Sequence, residues 1–154
     1  LKSETPGLEN NNIYIAKCSI RSSANAVKFG TGSYGSFKNV TIKDIEVYDT
    51  FRSAIAIESV DGAEIENIKV SNITAVNTGN AVLIRLGHRN GDKPGYIKNV
   101  SVKNVKVQVP FGRPDIDYDM RGPEVDYFHN PFPSSIAGIP GHSIENVTLE
   151  NIDF

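Results

Sequence analysis

Apolar and polar positions follow a nine-residue pattern that occurs five times in the chain: Asn, apolar, any, apolar, two polar, apolar, any, apolar. The period-two alternation of mostly β-branched residues on either side of the polar pair is typical of short, half-buried strands. The polar pair shifts the alternation by one position, as a corner between two strands does. Each copy therefore predicts two strands that meet at a bend. The copies are residues 12–20, 39–47, 67–75, 99–107 and 146–154.

A second apolar pattern lies between the early copies, at residues 25–29, 53–58 and 80–85. Together with the first pattern it makes three strands per repeat, and no segment has the period of a long helix. Such repeats stack with equivalent strands about 4.8 Å apart, so that equivalent residues form ladders. The predicted fold is all-β: a right-handed parallel β-helix of about five coils with three strands per coil. The predicted inward ladders are Val27, Ile55 and Val82, and Val40, Ile68, Val100 and Val147.

Glycine and asparagine cluster where the corners are expected, at residues 30–32, 61–62, 79–80 and 90–91. Four tripeptides match the N-glycosylation sequon. They begin at Asn39, Asn72, Asn99 and Asn146, within the repeat itself. The interpretation we favour is that each of these asparagines serves a corner of the coil.

Residues 1–154 are predicted to form a single β-helix, with residues 110–143 as a long loop inserted between coils. Long loops in compact domains tend to be functional, so this one either walls a groove or covers exposed core. It carries Asp115, Asp117 and Asp119 at alternate positions, as calcium loops do. The glycine of the sharp turn and the terminal bidentate glutamate of such loops are missing, so neither a metal nor a cofactor is predicted.

The chain of 154 residues is 39% apolar and has a net charge of -2, with basic and acidic residues interspersed. These values predict one globular core and argue against a nucleic-acid partner. No apolar run reaches the length of about 20 residues that spans a bilayer. The single cysteine, Cys18, is predicted to be a buried structural thiol. The chain resembles an interior or C-terminal piece, so further coils of a parent β-helix are an expected partner.

The coil length near 27 and the segments 22–32, 51–61 and 78–89 resemble successive coils of the family 28 glycoside hydrolases, the polygalacturonase family. The resemblance covers most of residues 10–109 and returns at 144–154. It implies a β-helix of the pectin lyase type with an open groove along one sheet. It also implies inverting hydrolysis of a galacturonate-rich pectic polysaccharide, and an extracellular or periplasmic location.

The family's signature carboxylates come from an Asn-Thr-Asp coil and a Gly-Asp-Asp-Ala-Ile coil. In one register the paired aspartates correspond to Ala24 and Asn25, which are unsuited to proton transfer. Arg52 then stands at the family's His, and Arg85 at the Lys of its Arg-Ile-Lys coil. A register shifted by one coil would place the aspartates before Leu1. This sequence contains no Asp-Asp pair, so the catalytic residues remain unassigned.

A row of basic residues on the second-pattern sheet and its following corner is the candidate substrate-binding site. Arginine binds a uronate carboxylate in bidentate fashion. Stacking is expected to place Glu58 beside Arg85 and Asp61 beside His88, either as part of the site or as structural ion pairs. The candidate substrate-binding residues are Lys28, Arg52, Arg85, His88, Arg89, Glu58 and Asp61.

The function predicted from these observations is inverting hydrolysis of a uronate-containing plant polysaccharide by a polygalacturonase-like protein. The alternative from another class is a non-catalytic carbohydrate-binding or adhesion β-helix. A pectin lyase-like enzyme is a third possibility. It would need an acidic calcium cluster and an arginine base, and the chain lacks the acidic cluster.

Overall fold

A computed structural model of the protein describes residues 1–111 and 133–154. These residues form β-strands joined by corners and contain no helix, hence none that could cross a membrane. The strands are β1 (Glu9–Asn11), β2 (Tyr14–Arg21), β3 (Val27–Phe29), β4 (Ser36–Ser59), β5 (Glu64–Leu86), β6 (Tyr96–Val107), β7 (Ser135–Ala137) and β8 (Glu145–Asp153).

Every pairing between these strands is parallel, and each joins a strand to its equivalent one coil away. The path through the stack is β1, β4, β5, β6 and β8, with β2 and β3 also on β4, and β7 on β5. The chain is therefore an all-β parallel β-helix, as predicted, with about four turns. Strands β4 and β5 are 24 and 23 residues long because each continues around the corners of its coil.

The corners are formed by residues with positive φ at intervals of five positions. In β4 they are Asn39, Asp44 and Asp49, with φ of 56°, 56° and 43°. Asparagine and aspartate enter this left-handed region more readily than other residues with a side chain. The first and sixth residues of every nine-residue copy have this conformation, which confirms the corner predicted from the parity shift.

Asparagine side chains stack along these corners and connect the coils by hydrogen bonds. The Nδ2 of Asn67 donates to Oδ1 of Asn39 at 3.0 Å, and that of Asn99 donates to Asn67 at 3.0 Å. A second ladder joins Asn72 to Asp44 at 2.8 Å and Asn104 to Asn72 at 3.1 Å. The sequon asparagines thus serve the corners, in agreement with the interpretation favoured from the sequence.

The core consists of the predicted inward ladders. Ile55 pairs with Val27 on one side and Val82 on the other, and Ile55 is fully buried. The ladder of Val40, Ile68, Val100 and Val147 also forms, although Val147 in the last coil is only half-buried. Cys18 packs against this core as a half-buried free thiol.

Part of the predicted 110–143 loop is a strand. β7 pairs with Leu83–Arg85 of β5, so the chain has returned to the third side of the coil by residue 135. Asp115, Asp117 and Asp119 lie outside the described residues. The two roles considered for this loop, walling a groove or covering exposed core, therefore stay predictions. Within residues 1–111 and 133–154, no group of three His, Cys, Asp or Glu is placed to hold a metal ion.

Candidate functional site

The third side of the coil, formed by β3, the end of β4 and the end of β5, carries a buried glutamate between two basic residues. The Glu58 side chain is only 4% exposed. Its Oε2 accepts a hydrogen bond from Arg85 Nε at 2.8 Å, and its Oε1 lies 3.3 Å from Lys28 Nζ. The three residues come from three successive coils, and the predicted neighbourhood of Glu58 and Arg85 is confirmed by their register.

A second buried carboxylate lies at the corner that follows this strand. Asp61 accepts two hydrogen bonds from Arg89, from Nε at 2.9 Å and from Nη2 at 2.6 Å. Asn90 Nδ2 at 2.8 Å and the backbone N–H of Gly32 at 2.6 Å also donate to it. The Arg89 guanidinium, with help from Gly32 and Asn90, outweighs the opposing effect of burial and lowers the pKa of Asp61 from 3.8 to about 2.

This shift predicts how Asp61 contributes to stability at acid pH. A carboxylate with a lowered folded-state pKa adds stability above its unfolded pKa of 3.8, and that stability is lost as the pH falls from about 4 to about 2. We expect Asp61→Asn to reduce the unfolding free energy at pH 7 and to flatten the pH dependence in this window. Urea denaturation between pH 2 and 7 measures both effects. The exposed Asp92 provides the control Asp92→Asn, which should keep the wild-type pH profile. An unchanged slope in Asp61→Asn would contradict the assignment.

One of the predicted basic residues is placed differently from the expectation. His88 is exposed and its Nε2 lies 3.0 Å from the carbonyl of Gly91, so the partner of Asp61 is Arg89 and the predicted pairing with His88 is wrong. The corner after β5 brings the side chain one position beyond His88, that of Arg89, to the Asp61 carboxylate.

Arg52 lies near the start of the third side, at the irregularity where the register of β4 against β5 shifts between Thr50 and Ser53. Arg85 lies five positions beyond Asn80, the register partner of Ser53, on the neighbouring coil. At about 3.3 Å per residue, roughly five residues separate the two arginines by more than 15 Å along the strand direction. Arg52 therefore lies on the same side of the coil but apart from Lys28, Arg85 and Arg89. We call these three basic residues, together with Glu58 and Asp61, the arginine edge.

The positions that correspond to the family's paired aspartates have structural contacts. Asn25 is buried, and its Oδ1 accepts a hydrogen bond from the backbone N–H of Ser53 at 3.1 Å. The carbonyl of Ala24 accepts from the backbone N–H of Arg52 at 2.8 Å. Both residues thus connect the first coil to the second.

The arginine edge joins buried anions to exposed cations. The side chains of Glu58 and Asp61 are 4% and 0% exposed, whereas those of Arg85 and Arg89 are 47% and 57% exposed. Glu58 binds the Arg85 guanidinium through Nε, and Asp61 binds that of Arg89 through Nε and Nη2, so the Nη1 groups of both arginines take no part in these contacts. Asp61, with a pKa near 2, is ionised at neutral pH and is a poor general acid. The edge is suited to binding an anion.

Sequence reasoning missed two partners of Asp61, the side chain of Asn90 and the N–H of Gly32. Both lie in Gly and Asn clusters that the sequence marks as corners. Gly32 and Asn90 each lie 29 residues from Asp61, close to one coil length in either direction, and this spacing was the available signal.

Comparison with known proteins returned no match, whether the chain was compared with protein-family models, with curated proteins or with solved structures.

Proposed function

We propose that this β-helix binds a uronate-containing polysaccharide along its third side, with the arginine edge as the contact for the sugar carboxylates. In this proposal the chain is the recognition part of a polygalacturonase-like glycoside hydrolase that meets pectic polymers outside the cell or in the periplasm. The observation that carries it is the pair of exposed guanidiniums, Arg85 and Arg89, each held in place by a buried carboxylate.

Arg85 and Arg89 are restrained before any ligand binds, and this restraint favours the binding of an anion. An exposed arginine side chain loses rotamer entropy when it binds, and that loss opposes binding. Glu58 and Asp61 have already restrained Arg85 and Arg89 in the folded protein. A planar guanidinium also matches the two oxygens of a carboxylate, and charge-assisted hydrogen bonds of this kind contribute about 1.5–3 kcal/mol each.

The local charge also favours an anionic ligand. Lys28, Arg85 and Arg89 bring three positive charges, and Glu58 and Asp61 bring two negative ones, so the edge has a net charge of +1 in a chain whose total is -2. The negative charges are buried and the positive ones face solvent. A uronate approaching from solvent therefore meets the cations first.

The test is the affinity of the 154-residue chain for an oligogalacturonide, measured by isothermal titration calorimetry. Arg85→Gln combined with Arg89→Gln should weaken binding at least tenfold, because two charge-assisted contacts of about 1.5–3 kcal/mol each are lost. Glutamine keeps a hydrogen-bond donor toward each buried carboxylate. Circular dichroism and a thermal melt check that the double variant is folded at the temperature of the titration.

The matched control is Lys103→Gln combined with Lys106→Gln, which removes two positive charges from the other two sides of the coil, before and after the corner at Asn104. Both lysines belong to β6 and make ion pairs with Glu150 and Asp153 of the last coil, so neither lies on the strands of the arginine edge. This control should bind within about twofold of the wild type. Equal losses in the two double variants would indicate an effect of net charge, and no loss in either would remove the site.

Hydrolysis requires an acid and a base on carboxylates about 6.5–9.5 Å apart in inverting enzymes. The pKa of Asp61 and the ion pairs of Glu58 argue that neither serves in that pair. We therefore place the catalytic carboxylates of the proposed hydrolase outside the arginine edge.

The non-catalytic alternative is favoured by one observation, the structural use of Asn25 and Ala24 at the family's aspartate positions. An assay of the reducing ends that the chain releases from polygalacturonate distinguishes the non-catalytic alternative from the hydrolase. Binding without release supports recognition alone, and release that survives Arg85→Gln at saturating substrate supports hydrolysis by other residues.

A further inference from the structure

Asn90 is the one asparagine of the sequence that is followed by glycine. It lies with Gly91 in the exposed corner after β5, beyond Leu86, the last residue of that strand. Gly91 has a positive φ of 90°, and the nearest neighbours of an added Cβ would be the carbonyl oxygens of Asp61 and Lys93, both at 3.8 Å. The backbone of this corner is therefore loosely surrounded, and segments of this kind move more than the strands they connect.

From this placement we propose that Asn90 is a site of spontaneous deamidation, whose product adds a negative charge to the arginine edge. The backbone nitrogen of Gly91 loses its proton to solvent and attacks Cγ of Asn90. A bond forms between these two atoms, the bond from Cγ to Nδ2 breaks, and Nδ2 leaves as ammonia after taking up a proton from water. Water then opens the cyclic imide to aspartate or isoaspartate, so the steps together consume water and release ammonia.

Glycine at the following position removes the main obstacle to ring closure. The attacking nitrogen must approach the asparagine side chain, and a Cβ on its own residue, above all a branched one, crowds that approach. Gly91 has no Cβ, and its backbone lies outside the paired strands. It can therefore rotate into the reactive geometry without breaking a strand pairing.

The corner asparagines of the coil provide an internal comparison, because each of them is followed by a β-branched residue. Asn39 precedes Val40, which is fully buried and in register with Ile68. The side chain of Asn39 also accepts a hydrogen bond from Asn67. Ring closure there would break both the rung and the strand pairing. The corner asparagines are Asn12, Asn39, Asn67, Asn72, Asn77, Asn99, Asn104, Asn146 and Asn151.

The contact between Asn90 and the arginine edge gives the reaction a consequence. Nδ2 of Asn90, the nitrogen that leaves, donates to Oδ1 of Asp61 at 2.8 Å. Deamidation replaces this donor with a carboxylate beside the buried carboxylate of Asp61, where Arg89 is the neighbouring cation. The added charge takes the net charge of the edge from +1 to zero, and the new carboxylate competes with an external anion for Arg89. This effect on uronate binding rests on the proposed function, whereas the modification does not.

Peptide mapping of the folded chain after incubation in mildly alkaline buffer tests the modification. Trypsin cleaves after Arg89, and the peptide that begins at Asn90 should gain the mass of an amide-to-acid conversion and separate into aspartate and isoaspartate forms. It should convert about tenfold or more faster than any peptide that carries a corner asparagine. A sample digested without incubation corrects for conversion during digestion. A peptide that stays unconverted, or that converts no faster than the corner asparagines, overturns the proposal.

The charge effect is measured with two variants at the same position. Asn90→Asp reproduces the aspartate product, and Asn90→Gln keeps an amide at this position. By isothermal titration calorimetry with an oligogalacturonide, Asn90→Asp should bind about threefold or more weakly than Asn90→Gln, with circular dichroism showing both to be folded. Equal affinities overturn the effect on the edge. Loss of binding in the wild type as well contradicts the proposed function alone, because the peptide map decides the modification independently.

Discussion

Replacing Ile55 with aspartate should unfold the protein or reduce its unfolding free energy by about 4 kcal/mol or more. Ile55 is fully buried in the middle of the stack, between Val27 and Val82. A carboxylate at this position has no partner within the apolar core, and an unpaired buried charge is among the most costly changes a core can undergo. Urea denaturation followed by circular dichroism measures the loss.

Val76→Asp is the matched control, because it places the same charge on an apolar residue that is 48% exposed. This variant should stay within about 0.5 kcal/mol of the wild type, as surface substitutions usually do. If Ile55→Asp were as stable as Val76→Asp, the third strand would not face the core and the three-sided coil would be wrong.

Gly95→Ala should destabilise the protein by about 3 kcal/mol. A Cβ at this position would lie 2.0 Å from the carbonyl oxygen of Ala63 and 2.3 Å from Oγ of Ser59. The first of these atoms belongs to the backbone of the neighbouring coil, which cannot move away without breaking strand pairing. The loss is therefore expected to come from a local separation of the corners of two coils.

Gly30→Ala is the control for this second variant. A Cβ there meets first the flexible side chain of Lys28, at 3.2 Å from Cε, and Gly30 does not have a positive φ. Its unfolding free energy should stay within about 1 kcal/mol of the wild type. Thermal and urea denaturation of the two variants give the comparison. A Gly95→Ala protein as stable as Gly30→Ala would show that the coils are not in contact at this corner.

The repeat and the inward ladders could be predicted because they follow from local chemistry. Alternation of β-branched residues reports which side of a strand is buried, and the polar pair reports a corner. The structure adds a third corner in the coil, which the alternation does not show. Positive φ at Asp49 and Asn77 makes a third corner five residues after the second, just beyond the end of the nine-residue pattern.

The site was less predictable because its contacts depend on corners of irregular length. Stacking by equivalent position paired Glu58 with Arg85 correctly, since both lie within regular strand. The same rule failed for His88, which lies beyond the end of β5, where the turn brings Arg89 to Asp61. The shift between Thr50 and Ser53 similarly moves the start of the third side, and alternation alone does not reveal it.

The location of a bound uronate can be measured directly by titrating the isotopically labelled chain with an oligogalacturonide and following amide and arginine side-chain signals by NMR. We expect the largest shift changes at Lys28, Arg85 and Arg89 and in the corner at residues 87–91, and no such changes with a neutral oligosaccharide of the same length. Unchanged signals at the arginine edge, or equal changes with the acidic and the neutral sugar, would contradict the proposed site.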